Sequence, residues 1–167
     1  MNHPKEYRDP WLAEGVNDAI GFYNREFFCL DNFSAFRVEY NGVVYATVEA
    51  AYQAQGFVKT APGVAYRIFE APSAYEAKMI AHVNSDLRRE DWDDVKAAIM
   101  ESLLRAKLQQ HPYVKQKLLE TGDCPLVEDS PTDSFWGCGA DRQGRNEMGK
   151  LWMKLRAELR QTHDQKN

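Results

Sequence analysis

Two stretches of this chain carry residue types that could do chemistry at close spacing: Asp133-Ser134-Phe135-Trp136-Gly137-Cys138-Gly139, with Gly144, Arg145 and Asn146 beyond it, and the segment around Glu49. In the first, an acid, a large aromatic and closely spaced glycines describe a loop that brings backbone near a ligand while a ring stacks on it. Trp136 offers a face for a planar base, Gly137 a close approach of main chain, and Asn146 both donors and acceptors. A glycine-rich turn anchored in the core by Trp136 is the other reading. Gly137, Gly139 and Gly144 do not follow GxGxxG after a strand or the Walker pattern, which excludes Rossmann and P-loop sites. Arg142, Arg145 and a helix starting near Asn146 could hold a phosphate through guanidinium and free N–H groups. A solvated basic surface also explains them.

Glu49 stands two residues after Thr47, one position short of the N3 carboxylate that a capping box requires. Capping therefore does not explain it. The helix macrodipole favours a first-turn carboxylate and should keep it ionised near neutral pH, which suits an electrostatic stabiliser, base or nucleophile. A glutamate that only complements the dipole is the alternative. Nearby, Asn32 and Gln53 present amides that can read base edges or ribose hydroxyls, and Phe33 presents a ring. Metal chemistry has little support, because His3, His82, His111 and His163 are scattered and no HExxH exists.

The elements that must position these groups follow from local signals. Phe36 to Tyr40 alternates, Asn41-Gly42 signals a type I′ turn, and Val43 to Ala46 returns, which predicts a hairpin. Thr47 caps a helix from about Val48 to Val58, and Pro62 and Pro72 open two shorter ones, the second capped near Ser73. From Asp91 the pattern is helical for about five turns, with Trp92, Val95, Ile99, Leu103 and Ala106 as its core stripe. Trp92 is a core residue by that stripe, or a ring platform. Pro112 begins a helix that Gly122 ends, Leu126-Val127-Glu128 reads as a short strand, and a last helix from about Asn146 aligns Met148, Leu151, Trp152, Leu155 and Leu159. The expected fold class is α+β, mostly helical with a small hairpin-containing sheet.

A chain of 167 residues with 44% hydrophobic and 28% charged residues fits one soluble domain with a real core. The expected domain is 1–167, with its core at about 20–160 and frayed termini at residues 1–10 and 161–167. A net charge of −4 gives no global attraction to nucleic acid. Cys29, Cys124 and Cys138 are odd in number and lack CxxC pairing, which points to a reducing cytoplasm. No signal peptide or membrane span is legible, so no membrane partner is expected. Oligomeric state is not legible.

Several segments, in order, resemble one family. They are Phe22-Tyr23, Leu30 to Ser34, Thr47 to Gln55 against TxEHxYQAQK, Ala71-Pro72-Ser73 with Glu76-Ala77-Lys78, and Arg89 to Trp92 with Met100. Ala106-Lys107, Leu118-Leu119 with Thr121-Gly122, Leu126 to Glu128, and the block from Asp133 to Arg156 follow. The pattern is similar to the YbiA-like or NADAR family, the NAD- and ADP-ribose-associated proteins, which includes the N-glycosidase of riboflavin biosynthesis intermediates. The resemblance covers about residues 20–160.

What it implies is a cytoplasmic N-glycosidase that hydrolyses the C1′–N bond of a phosphorylated ribosyl small molecule without metal or other cofactor. Ribosylamino-pyrimidine intermediates of riboflavin synthesis are one substrate class, and ADP-ribose on a guanine base of nucleic acid is the other. Breaking that bond makes the sugar oxocarbenium-like, so an anion beside C1′ lowers the barrier and a second group must help the base depart. Glu49 and Asp133 are the expected catalytic pair, with acid and base unassigned. The expected substrate-binding residues are Asn32, Phe33, Tyr52, Gln53, Trp92, Trp136, Gly137, Arg145 and Asn146. Three departures stand out: Ala50 and Gly56 replace a histidine and a lysine of the family pattern, and Asp31 replaces a serine. A lysine could capture an opened ribosyl aldehyde as a Schiff base, so Lys59, one turn on, is the candidate replacement. A non-catalytic module binding ADP-ribose or another NAD-derived nucleotide is the rival reading.

Overall fold

A computed structural model describes residues 19–22 and 26–164. Tyr23, His3 and, of the residues expected to fray, 1–10 and 165–167 lie outside the described residues, whereas 161–164 continue the last helix. The chain is α+β and mostly helical, with six α-helices and two two-stranded sheets among the described residues. Its backbone falls into two compact units, Asn32–Lys115 and, from the two ends of the chain, Met1–Asp31 with Gln116–Asn167.

In Asn32–Lys115, strands β2 (Val38–Tyr40) and β3 (Val43–Tyr45) pair antiparallel, with Val38 opposite Tyr45. Asn41 and Gly42 both take positive φ, 51° and 78°, as a type I′ turn requires. Thr47 is extended and its hydroxyl accepts from Ala50 N at 3.1 Å, opening α1 (Val48–Gln55). That helix stops at Gln55 rather than Val58. Gly56 follows as its C-cap, still in right-handed helical conformation at φ −67° and ψ −19°. Every residue from Val48 to Ala54 is buried, and the small side chains of Ala50, Ala51 and Ala54 suit the close packing of α1 against its neighbours α2 (Pro62–Phe69), α3 (Ala74–Val83) and α4 (Trp92–Gln110). Pro62 opens α2 as expected, whereas Pro72 precedes the Ser73 cap, whose hydroxyl accepts from Glu76 N at 3.1 Å.

The buried face of α4 differs from the apolar stripe. Trp92 and Leu103 are on it, but Val95, Ile99 and Ala106 are half-buried at its shoulder, and Met100, Leu104, Lys107 and Leu108 complete it. Lys107 is fully buried, donates from Nζ to Ser34 Oγ at 2.8 Å and lies 5.3 Å from the Phe36 ring centroid. A stripe drawn through apolar residues alone cannot register a lysine whose charge is satisfied inside.

In the other unit, β1 (Ile20–Gly21) and β4 (Leu126–Val127) pair in parallel. Helix α5 (Pro112–Glu120), whose first four residues belong to Asn32–Lys115, begins at its proline, and Gly122 follows it at φ 58°. Helix α6 (Glu147–Asp164) buries Met148, Trp152 and Leu155, with Leu151 and Leu159 half-buried on the same side. Trp152 Nε1 donates to Leu30 O at 2.9 Å, and the buried Arg156 donates to Thr121 Oγ1 at 2.7 Å and Cys124 O at 2.8 Å. None of the three cysteines is in a disulfide. No helix among the described residues is long and apolar enough to cross a membrane.

Candidate active site

Glu49 sits in the first turn of α1, where its N–H donates to Asn32 O at 3.1 Å and its side chain is buried, only 6% exposed. Burying a carboxylate costs several kcal/mol unless hydrogen bonds replace its water. Gln53, one turn on along the same face, supplies one: its Nε2 donates to Glu49 Oε1 at 2.8 Å. Gln53 Oε1 in turn accepts from Arg88 Nη2 at 3.0 Å. The Arg88 guanidinium lies 5.2 Å from the Phe57 ring centroid and 5.1 Å from that of Trp92. Trp92 is itself buried and packs at 4.9 Å and 49° on the buried Tyr52. Burial pushes Arg88 below its ordinary pKa, and its neighbours Tyr52, Glu49 and Asp93 act in the opposite direction. Glu49, Gln53, Tyr52 and Trp92 are thus gathered around a cation that the sequence reading did not single out.

Asn32 also belongs to this unit. It is buried, its Nδ2 points to Met100 Sδ at 3.4 Å, and its Oδ1 has no hydrogen-bond partner among the described residues. An orphaned buried acceptor costs about 1–3 kcal/mol, which marks the residue as held for more than packing. Phe33 is half-buried, with Lys78 Nζ 5.8 Å from its centroid.

Lys59 is placed differently from expectation. The helix has already ended, so helical spacing does not carry Lys59 back over position 56; it is exposed in the following turn, where its charge acts on Asp91. Lys59→Met is expected to keep kcat within about twofold of wild type, the usual scale for a surface substitution. Borohydride added during turnover should trap no sugar adduct on Lys59. An adduct there would restore the Schiff-base route.

The glycine loop is organised from within. Asp133 Oδ1 accepts from the N–H groups of Phe135 at 2.9 Å and Trp136 at 2.7 Å, an Asx turn that sets the two aromatics side by side. Their rings meet edge to face at 4.9 Å and 87°, and the Arg145 guanidinium covers Phe135 at 4.7 Å while pairing with Glu147 at 3.2 Å. Gly137 and Gly144 serve backbone packing. A Cβ at Gly137 would lie 2.5 Å from Glu128 O, and one at Gly144 would lie 2.4 Å from Gly137 O.

Asn146, expected at the ligand, binds main chain at and just beyond β4 with both ends of its amide. At φ 50° it accepts on Oδ1 from Glu128 N and donates from Nδ2 to Leu126 O, both at 3.0 Å. The first turn of α6 is not an open phosphate seat either, because the N–H groups of Glu147 and Met148 donate to the carbonyls of Phe135 and Trp136. Trp136 remains half-buried. Trp136→Ala should therefore weaken nucleotide binding by about 1–3 kcal/mol, the range for base stacking on an aromatic. A protein that binds normally but melts with a loss of about 3–5 kcal/mol would identify a core tryptophan instead.

Sequence reasoning missed Arg88 and Lys107. For Arg88 the available signal was Gly56, a small residue in a buried helix end; for Lys107 it was position, since the residue falls on the same helical face as Met100, Leu103 and Leu104.

Comparison with known proteins agrees with the fold. A family model described as NADAR domain matches residues 21–160. The chain is 40% identical over 144 residues to the N-glycosidase Npun_R5314 of Nostoc punctiforme, covering 84% of this chain and 92% of that one. It is 33% identical over 132 residues to Riboflavin biosynthesis protein VVA0006 of Vibrio vulnificus, covering 79% of this chain and 35% of that longer protein. The NMR structure of Escherichia coli YbiA superposes with a TM-score of 0.78 at 31% identity, covering 89% of this chain and 88% of that one. With the Glu49 helix and the glycine loop both inside the matched span, the chain belongs to the NADAR domain family.

Proposed function

We propose that the chain is an N-glycosidase that cleaves the bond between ribose C1′ and a base nitrogen in a phosphorylated ribosyl substrate. Water adds to C1′ and the base leaves with a proton. The observation that carries the reading is the Glu49 carboxylate, buried in a helical first turn and held there by an amide that a cation fixes from behind. A preorganised anion in such a place stabilises the positive charge that grows on the sugar. Asp133, with one oxygen occupied by two loop N–H groups, is assigned to shaping the aromatic loop. No metal or cofactor enters the scheme, and a cytoplasmic setting fits three cysteines without a disulfide.

Ribosylamino-pyrimidine phosphates of riboflavin synthesis are the first substrate class. They fit relatives whose names carry riboflavin biosynthesis, and a net charge of −4 favours a small molecule over a polyanion. ADP-ribosylated guanine is the second. Purified protein incubated with each class, with release of ribose 5-phosphate or ADP-ribose followed directly, tests the proposal. Turnover of either supports it. Binding of ADP-ribose without turnover of either would establish the nucleotide-binding module, the reading that Ala50 and Gly56 favour.

A further inference from the structure

Gly56 stands where the family pattern carries a lysine, and its backbone gives no reason for a glycine. It is ordinary right-handed helix at φ −67° and ψ −19°. Space gives the reason. A Cβ at Gly56 would lie 3.1 Å from Arg88 Cγ, 3.2 Å from Nε and 3.3 Å from Cδ, inside the separation of about 3.5–4.0 Å at which carbon atoms attract. The Arg88 stem occupies the volume that a side chain at position 56 would claim. It cannot retreat with its own backbone, because the next residue, Arg89, donates from N to Gly56 O at 2.9 Å. The rings of Phe57 and Trp92 lie against the guanidinium, and its Nε is buried without a hydrogen-bond partner among the described residues.

A glutamine amide has two ends of nearly the same shape and opposite hydrogen-bonding character. Arg88 can only donate, so it selects Gln53 Oε1 and turns Nε2 toward Glu49, which as a carboxylate can only accept. The order donor, amide, carboxylate has one consistent arrangement. Without Arg88 the carboxylate still favours Nε2, but Gln53 Oε1 loses the donor that pins the amide from the other side.

We propose that Arg88 is a positioning residue for Glu49: seated over Gly56, it locks the Gln53 amide so that Nε2 holds the Glu49 carboxylate in its working orientation. Gly56 is then the clearance that admits it. The catalytic half of this inference rests on the glycosidase reading, whereas the amide lock is readable in the free protein.

The test uses 15N-labelled full-length protein, following the side-chain NH2 pair of Gln53 in wild type and in Arg88→Met, Arg88→Lys, Gly56→Leu and Gly56→Ala. In wild type the two protons should be well dispersed and slow to exchange. In Arg88→Met and Gly56→Leu they should collapse toward solvent-exposed values, in Gly56→Ala move part of the way, and in Arg88→Lys, which keeps a donor, stay near wild type. With a ribosyl phosphate substrate, kcat in Arg88→Met and Gly56→Leu should fall by about 10- to 100-fold, the scale for a misplaced reacting group, with KM nearly unchanged. Unchanged Gln53 signals in Arg88→Met overturn the lock, and unchanged signals in Gly56→Leu overturn the seat. Altered signals with undiminished kcat overturn the positioning role. Wild type without turnover overturns the glycosidase reading and the catalytic half of this one, while the amide signals still decide whether Arg88 orients Gln53.

Discussion

Glu49→Gln is expected to lower kcat by at least about 100-fold, the usual cost of removing one preorganised charge from a reacting centre. The substitution keeps the shape of the side chain and leaves an oxygen to accept from Gln53 Nε2, so the hydrogen bond at 2.8 Å can persist. Folding should be nearly indifferent. The neutral amide removes the desolvation cost of a buried carboxylate, while Arg88 keeps its bond to Gln53 and the attraction of Asp93. A change in melting temperature of no more than about 4 °C, equivalent to roughly 1 kcal/mol in a chain of this size, is therefore expected. Steady-state kinetics with the better of the two substrate classes, beside a thermal melt, checks both halves. Near-normal kcat would remove Glu49 from the mechanism, and a collapse in stability would show it to be a structural carboxylate.

What was legible in the sequence was whatever a few neighbouring residues decide among themselves. Asn41-Gly42 specifies its turn by allowing two positive φ values, and Thr47 and Ser73 cap helices because their hydroxyls reach an N–H three residues away. Glu49 stood out for a local reason too, its distance from the capping position. The buried polar residues that the local signals did not single out have partners far along the chain. Arg88 makes sense only against Gly56 and Gln53, and Lys107 only against Ser34 and Phe36. Polar residues in the glycine loop are ambiguous in the sequence for a related reason. An asparagine or aspartate that binds main chain has the same composition as one that binds a ligand, and the sequence alone does not show the bonds from Asn146 to Leu126 and Glu128 or from Asp133 to its own loop.

Gly149→Ala offers a test in which two physical effects have opposite signs. Gly149 lies in the first turn of α6, and by helix propensity alone an alanine there should stabilise by up to about 1 kcal/mol. The packing argues the other way. A Cβ at Gly149 would lie 2.1 Å from Leu126 O and 2.5 Å and 2.6 Å from Asn146 Nδ2 and Oδ1. Leu126 is fully buried and paired in β4 with Ile20, and its carbonyl accepts from Asn146 Nδ2 at 3.0 Å, so relief requires the strand to move or that bond to break. Overpacking of this kind costs about 1–3 kcal/mol, and a buried hydrogen-bonding group left without its partner costs about 1–3 kcal/mol more. The net expectation is a loss of about 2 kcal/mol or more, seen as a melting temperature lower by roughly 4–8 °C. The loop should loosen with it, because Asn146 N donates to Gly137 O and the next two N–H groups to the carbonyls of Phe135 and Trp136. Nucleotide affinity should therefore fall together with stability. A higher melting temperature in Gly149→Ala would mean that helix propensity wins and that the close approach of α6 to β4 is not what holds the glycine loop.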